Sequence, residues 1–165
     1  MNKNLRYEFW GFIFISVIGT LLHFLYVWSG EINFVGAFSP VNESVWEHLK
    51  LIFIPSLAWT MIGYFMVFRE TKGYITEKAA SVFLGMALIT SVFYVYTGII
   101  GRSFVAVDII LFYIGVLAAS LYAVKNAQNE KHGNALGIAF FAFFLAAFVI
   151  LTFKSPEIGI FSVPA

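Results

Sequence analysis

The chain alternates between long apolar runs and short polar punctuation. Five runs, approximately Phe9–Ser29, Val45–Phe68, Ala79–Gly101, Phe104–Val124 and Ala135–Phe153, are each long enough to cross a bilayer as a helix, which takes roughly 20 residues. The pattern predicts an all-α fold, a polytopic membrane helix bundle with about five transmembrane helices. Residues 1–165 are expected to form a single integral membrane domain, with no room for a soluble one.

The connections differ in character. Arg69–Lys78 and Lys125–Asn134 are polar and read as solvated turns. Gly101-Arg102-Ser103 is so tight that the third and fourth helices must form an antiparallel hairpin. The stretch Gly30–Asn42 contains Phe34-Val35-Gly36-Ala37-Phe38, too apolar for a free loop and too short to span. It is expected to lie in the interface or tuck back over the bundle. Asn42 or Ser44 can cap the second helix, and Ser44-Val45-Trp46-Glu47 fits a capping box. Pro55 inside that helix should kink it and free a carbonyl near Leu51. Ser56, Thr60 and Gly63 form one small-residue stripe, and Gly115 and Ala119 another, both suited to close helix packing. Trp10, Trp28 and Trp46 fall near segment ends, as an interfacial belt would place them.

Composition agrees. The chain is 61% hydrophobic and only 12% charged, half the roughly 25% of soluble domains. The net charge of +1 says nothing about partners and gives no basis for nucleic acid, but its distribution orients the chain. With the N-terminus inside, Lys3, Arg6, Arg69, Lys72, Lys78, Lys125 and Lys131 fall on the inner side, and only Lys50, Arg102 and Lys154 on the outer. The positive-inside rule therefore predicts an inner N-terminus and an outer C-terminus in the cell membrane. The first run has the basic flank of a signal peptide, but it is too long and lacks an Ala-x-Ala-like site, so it reads as a retained helix. The absence of cysteine excludes disulfides, thiolate metal sites and cysteine nucleophiles.

The densest polar cluster is Pro40-Val41-Asn42-Glu43-Ser44-Val45-Trp46-Glu47-His48-Leu49-Lys50. Helical rise places His23 about 9 Å and Asp108 about 8 Å below the outer ends of their helices. Glu47 and His48 lie in the first turn of the second helix, and Tyr94, Tyr96 and Thr97 in the outer third of the third. On the first helix Ser16, Thr20, His23 and Val27 share a face. Glu43 and Glu47 are one turn apart, and His48 points about 100° away from Glu47. The inner half offers only hydroxyls such as Ser16 and Thr60 at comparable depth.

Ionisable groups at such depth face a bundle interior or a water-filled cavity. His23, Glu43, Glu47, His48 and Asp108 are therefore the candidate catalytic residues, and His23, His48, Asp108 and Glu43 the candidate metal ligands. Nitrogen and oxygen donors of this kind suit a divalent ion such as zinc. A metal-free proton relay fits the same residues, and a serine triad using Ser44 or Ser103 is possible on paper, although no nucleophile-elbow pattern supports it. Plainer roles stand beside these. Glu47 can complete the cap and pair with Lys50, and Glu43 can be a solvated first-turn acid. His48 can sit in the interface, and His23 can bond a hydroxyl. Asp108 can be neutralised by Arg102, and His132 is expected to be solvated.

Gly19-Thr20-Leu21-Leu22-His23-Phe24-Leu25-Tyr26 followed by the eleven-residue Pro40–Lys50 motif resembles an uncharacterised bacterial family of small multipass membrane proteins, domain of unknown function 6512. The resemblance covers the whole chain in length and helix count, and its specific part lies in the first two helices and their loop. It implies that His23, Asn42, Glu43, Ser44, Trp46, Glu47, His48 and Lys50 act as a unit, but it implies no activity. The end of the chain, from Phe153-Lys154-Ser155-Pro156 onward, departs from the proline-rich aromatic tail of such proteins. A fainter resemblance is to multipass hydrolases that hold zinc between helices, whose His-x-x-x-His pair this chain lacks. Three functional classes remain: a membrane enzyme acting on a lipid or envelope substrate, a small transporter or ion-binding subunit, and a non-catalytic assembly or regulatory protein. The bilayer is the expected environment in each, with a homo-oligomer or a membrane partner open.

Overall fold

The computed structural model describes residues 3–126, 133–156 and 158–164; His132 and Lys131 lie outside them. The described chain is helical, in the order α1 (Lys3–Trp28), α2 (Asn33–Gly36), α3 (Val45–His48), α4 (Lys50–Met66), α5 (Tyr74–Ile100), α6 (Val105–Asn126) and α7 (Ala135–Phe153), then a short 3-10 turn at Gly159–Phe161. Helix α3 runs through Leu49 into α4 as one span. Among the described residues, five helices are long and apolar enough to cross a membrane. The Val45–Met66 span is 50% buried, against 17–28% for the others. The motif-bearing helix is thus the centre of the bundle, and side chains such as Val17, Met66, Ile99, Leu136 and Phe143 face outward, as helices in a lipid solvent require.

The pairing of α1 with α3–α4 sets the geometry of the polar cluster. The two run antiparallel in a register that can be followed rung by rung. The Tyr7 hydroxyl donates to the Trp59 carbonyl (2.6 Å) and their rings stack at 4.6 Å. Gly63 leaves room for the Tyr7 hydroxyl, and Gly11 leaves room for the Trp59 ring. Higher up, Gly19 packs on the backbone of Leu51: a Cβ there would stand 2.5 Å from the Leu51 oxygen. Pro55 has no N–H to bond that oxygen within the helix, so the freed carbonyl expected from the sequence is where α1 makes its close approach. The next rung joins His23 to His48.

The expected small-residue stripes are packing surfaces. A Cβ at Gly85 would meet Gly115 and Ala119 of α6, and Ser56 and Thr60 are buried. Gly101, with φ 85°, turns α5 into α6 and closes the predicted hairpin. Trp10 and Trp28 are exposed, as interfacial anchors should be. Trp46 instead packs against Phe148 and Phe161.

Two connections are less solvated than their polarity suggests. Lys78 belongs to α5 and is buried against Glu8 of α1, its ammonium 3.0 and 2.8 Å from the two carboxylate oxygens. Asn134 accepts from the Ile75 N–H (2.9 Å), and the Thr76 hydroxyl donates to the Gly133 carbonyl (2.6 Å). These bonds tie the start of α7 to the start of α5, and the first satisfies an N–H that a helix N-terminus leaves open.

Candidate functional site

The motif folds by local hydrogen bonding. The Ser44 N–H donates to Asn42 Oδ1 (2.9 Å), and Ser44 Oγ, with Ser44 in an extended N-cap conformation, accepts from the Glu47 N–H (3.3 Å). This is half of the expected capping box. The other half goes to Asn42, because the Glu47 carboxylate reaches past Ser44 to the Val41 N–H (3.0 Å). Glu43 is left between a pinned Val41 and a capped Ser44, at the open end of the helix.

His48 sits one turn into the helix, and its Nδ1 lies 3.0 Å from the Ser44 carbonyl oxygen. A carbonyl can only accept, so Nδ1 carries the proton, and in the neutral ring Nε2 presents a bare lone pair. That nitrogen stands 3.3 Å from Glu43 Oε2. Two lone pairs facing each other at this distance repel unless a proton or a metal cation lies between them. His23 arrives from α1 in the register set by Gly19, its ring centroid 5.2 Å from that of His48. One donor atom from each of His23, Glu43 and His48 falls within 4.8 Å of the others. Zinc bonds of about 2.0–2.1 Å in a tetrahedron need donors about 3.3 Å apart. The His48–Glu43 pair is already there, and His23 needs to close by about 1.5 Å at most. His48 is about one-third exposed and Glu43 two-thirds, so the cluster is open to the surface.

The other two candidates have different partners. Glu47 is turned away from His48, as the 100° step dictates, and is buried. Its Oε2 lies 2.7 Å from the Lys50 ammonium, and its Oε1 2.9 Å from the Thr152 hydroxyl. Asp108 accepts from the Tyr96 hydroxyl, which also accepts the Phe104 N–H (3.2 Å); both carboxylate and phenol belong to the α5–α6 hairpin. Arg102 lies over the Phe104 ring. Among the described residues, the donors that fit one ion are His23, Glu43 and His48. In the serine-triad alternative, Ser44 Oγ already accepts the Glu47 N–H as the helix cap.

The sequence did not single out Ser39 or Thr152. Ser39 is buried, and its hydroxyl donates to the Leu22 carbonyl (2.7 Å) while accepting from the Tyr26 N–H (3.2 Å). It thereby bridges the two backbone groups that flank His23. A serine followed by Pro40 is an ordinary loop signal, and only the fold reveals its target.

No curated protein and no solved structure matches the chain. A family of unknown function (DUF6512) matches residues 1–164, which takes in all seven helices and every residue of the cluster. The chain belongs to that family.

Proposed function

We propose that this is a membrane-embedded, metal-dependent enzyme in which His23, Glu43 and His48 hold a divalent ion such as zinc at the outer face of the membrane. The observation that supports it is the orientation of His48. Its Nδ1 is held by a backbone carbonyl, an arrangement that fixes the tautomer of metal-binding histidines, and its Nε2 faces a carboxylate across 3.3 Å, a gap that a cation or a shared proton must fill. Two imidazoles and one carboxylate leave a fourth position open, the arrangement of catalytic rather than structural zinc sites. An ion held this way activates water and polarises an ester or phosphoester. The site lies near the last turns of α1 and the start of α3, with exposed Phe24 against His23 and exposed Trp28 stacked on Phe24, which favours a lipid or envelope substrate presented from the bilayer. The outward orientation rests on the charge asymmetry, which survives the burial of Lys50 and Lys78 because one belongs to each side.

Chelator-treated protein in mild detergent, titrated with Co²⁺ and Zn²⁺, should bind one equivalent, with the visible absorption of four-coordinate cobalt. His23→Ala, Glu43→Gln and His48→Ala should each weaken binding by about 100-fold or more, beyond the ~10–100-fold typical of outer-sphere partners. Asp108→Asn should leave it unchanged. The bound protein should hydrolyse lipid esters or phosphoesters in mixed phospholipid vesicles, and lose that activity to chelator. Wild-type protein that takes up no ion, or a triple variant that binds as well, would overturn the proposal.

A further inference from the structure

Resting on the metal-site reading above, we infer that the buried Lys50–Glu47 pair, together with Ser39, is the positioning device that holds the three ligands in register. The Lys50 ammonium is fully buried, and none of His23, Glu43 and His48 is among its hydrogen-bond partners. Its three N–H groups are shared among four acceptors: the Gly36 carbonyl (2.8 Å), Glu47 Oε2 (2.7 Å), the Thr152 hydroxyl (2.5 Å) and, at the longest distance, the Ser39 carbonyl (3.3 Å). A buried ion pair adds little net stability over apolar residues of similar size, so stability alone does not explain a lysine here. What the pair does is join chain segments that carry the ligands.

Three links lead from the pair to the three ligands. Lys50 shares a helix with His48, two residues away. Through the Ser39 carbonyl it holds the residue whose hydroxyl bridges Leu22 and Tyr26, the turn of α1 that bears His23. Through Glu47, whose Oε2 also accepts the Val41 N–H, it fixes the strand of chain that delivers Glu43. Thr152 adds an anchor on α7, so the assembly is referred to a fourth element. One ammonium and one carboxylate thus relate all three ligand-bearing segments without touching the site. This also gives the Pro40–Lys50 motif a division of labour: Glu43 and His48 present donors, while Glu47 and Lys50 aim them.

The test replaces the pair as a unit, Glu47→Leu with Lys50→Met, so that no buried charge is stranded and the bundle can fold. Removing the other buried pair in the same manner, Glu8→Leu with Lys78→Met, is the control for general loosening. Titrated with Co²⁺, the Glu47/Lys50 variant should bind about 10–100-fold more weakly, the range of outer-sphere effects, with its cobalt spectrum shifted, while the control keeps wild-type affinity. A second readout needs no metal. The chain has no cysteine, so His23→Cys with His48→Cys gives a clean pair for a short bifunctional thiol reagent. Cross-linking should be fast in the parent and several-fold slower once Glu47 and Lys50 are replaced. Unchanged cross-linking, or an equal loss of it in the control, overturns the positioning role even if metal binds. Slower cross-linking in a protein that binds no metal would support the positioning role and overturn the enzyme reading.

Discussion

Replacing Lys78 alone with methionine should be among the most damaging single changes in the protein, lowering its stability by about 3–5 kcal/mol. Glu8 is 1% exposed and Lys78 2%, and both carboxylate oxygens rest on the one ammonium. Taking the lysine away leaves a charged group in a low-dielectric interior, where it must either remain unpaired or take up a proton. The double change Glu8→Leu with Lys78→Met removes both charges together and should recover most of the loss, because apolar residues in place of a buried pair are often neutral or better. Thermal unfolding in detergent would show a large fall in Tm for the single variant and a small one for the double. Two equal falls would mean that the pair contributes net stability, and one buried pair could no longer serve as a fold-neutral control for the other.

That pair also shows what the sequence hides. Apolar windows locate hydrocarbon-matching runs, and α7 is found with both ends correct at Ala135 and Phe153. They do not see a helix that continues past its apolar run, so α1 begins at Lys3 rather than Phe9 and α5 at Tyr74 rather than Ala79. Glu8 and Lys78 sit in those extensions. In the folded helix the buried positions Gly11, Ile15, Gly19 and Leu22 of α1 continue backwards at helical spacing onto Glu8 and Asn4, which places both on the inner face.

The site was legible to the extent that one coordinate of three was known. Helical rise gives depth, and depth grouped His23, His48 and Asp108. It gives neither the angle around each helix nor the order in which helices pack. Asp108 lies on the α5–α6 hairpin, where Tyr96 engages it, while His23 owes its neighbour to the α1–α4 register. The 100° step between Glu47 and His48 did carry angular information, and the two side chains have separate partners as that step requires.

Gly19→Ala should both destabilise the protein and weaken its metal binding. The added carbon would stand 2.5 Å from the Leu51 oxygen and 2.7 Å from the Phe112 ring. The ring can turn, but the oxygen belongs to helix backbone, so α1 and α4 must separate. Overpacking of this kind costs about 1–3 kcal/mol. Because His23 lies one turn beyond Gly19, the separation also carries its imidazole away from His48, and Co²⁺ affinity should fall along with Tm. Gly98 supplies the contrast, since it sits in α5 with nothing within 4 Å of its missing side chain. There alanine should be neutral, or stabilising by up to about 1 kcal/mol through helix propensity alone, with metal affinity unchanged. If Gly19→Ala melted like Gly98→Ala and bound cobalt as tightly as the wild type, the close approach at Leu51 would not be what delivers His23 to His48. The register of α1 would then have to be set by the Tyr7–Trp59 contacts at the other end of the pair.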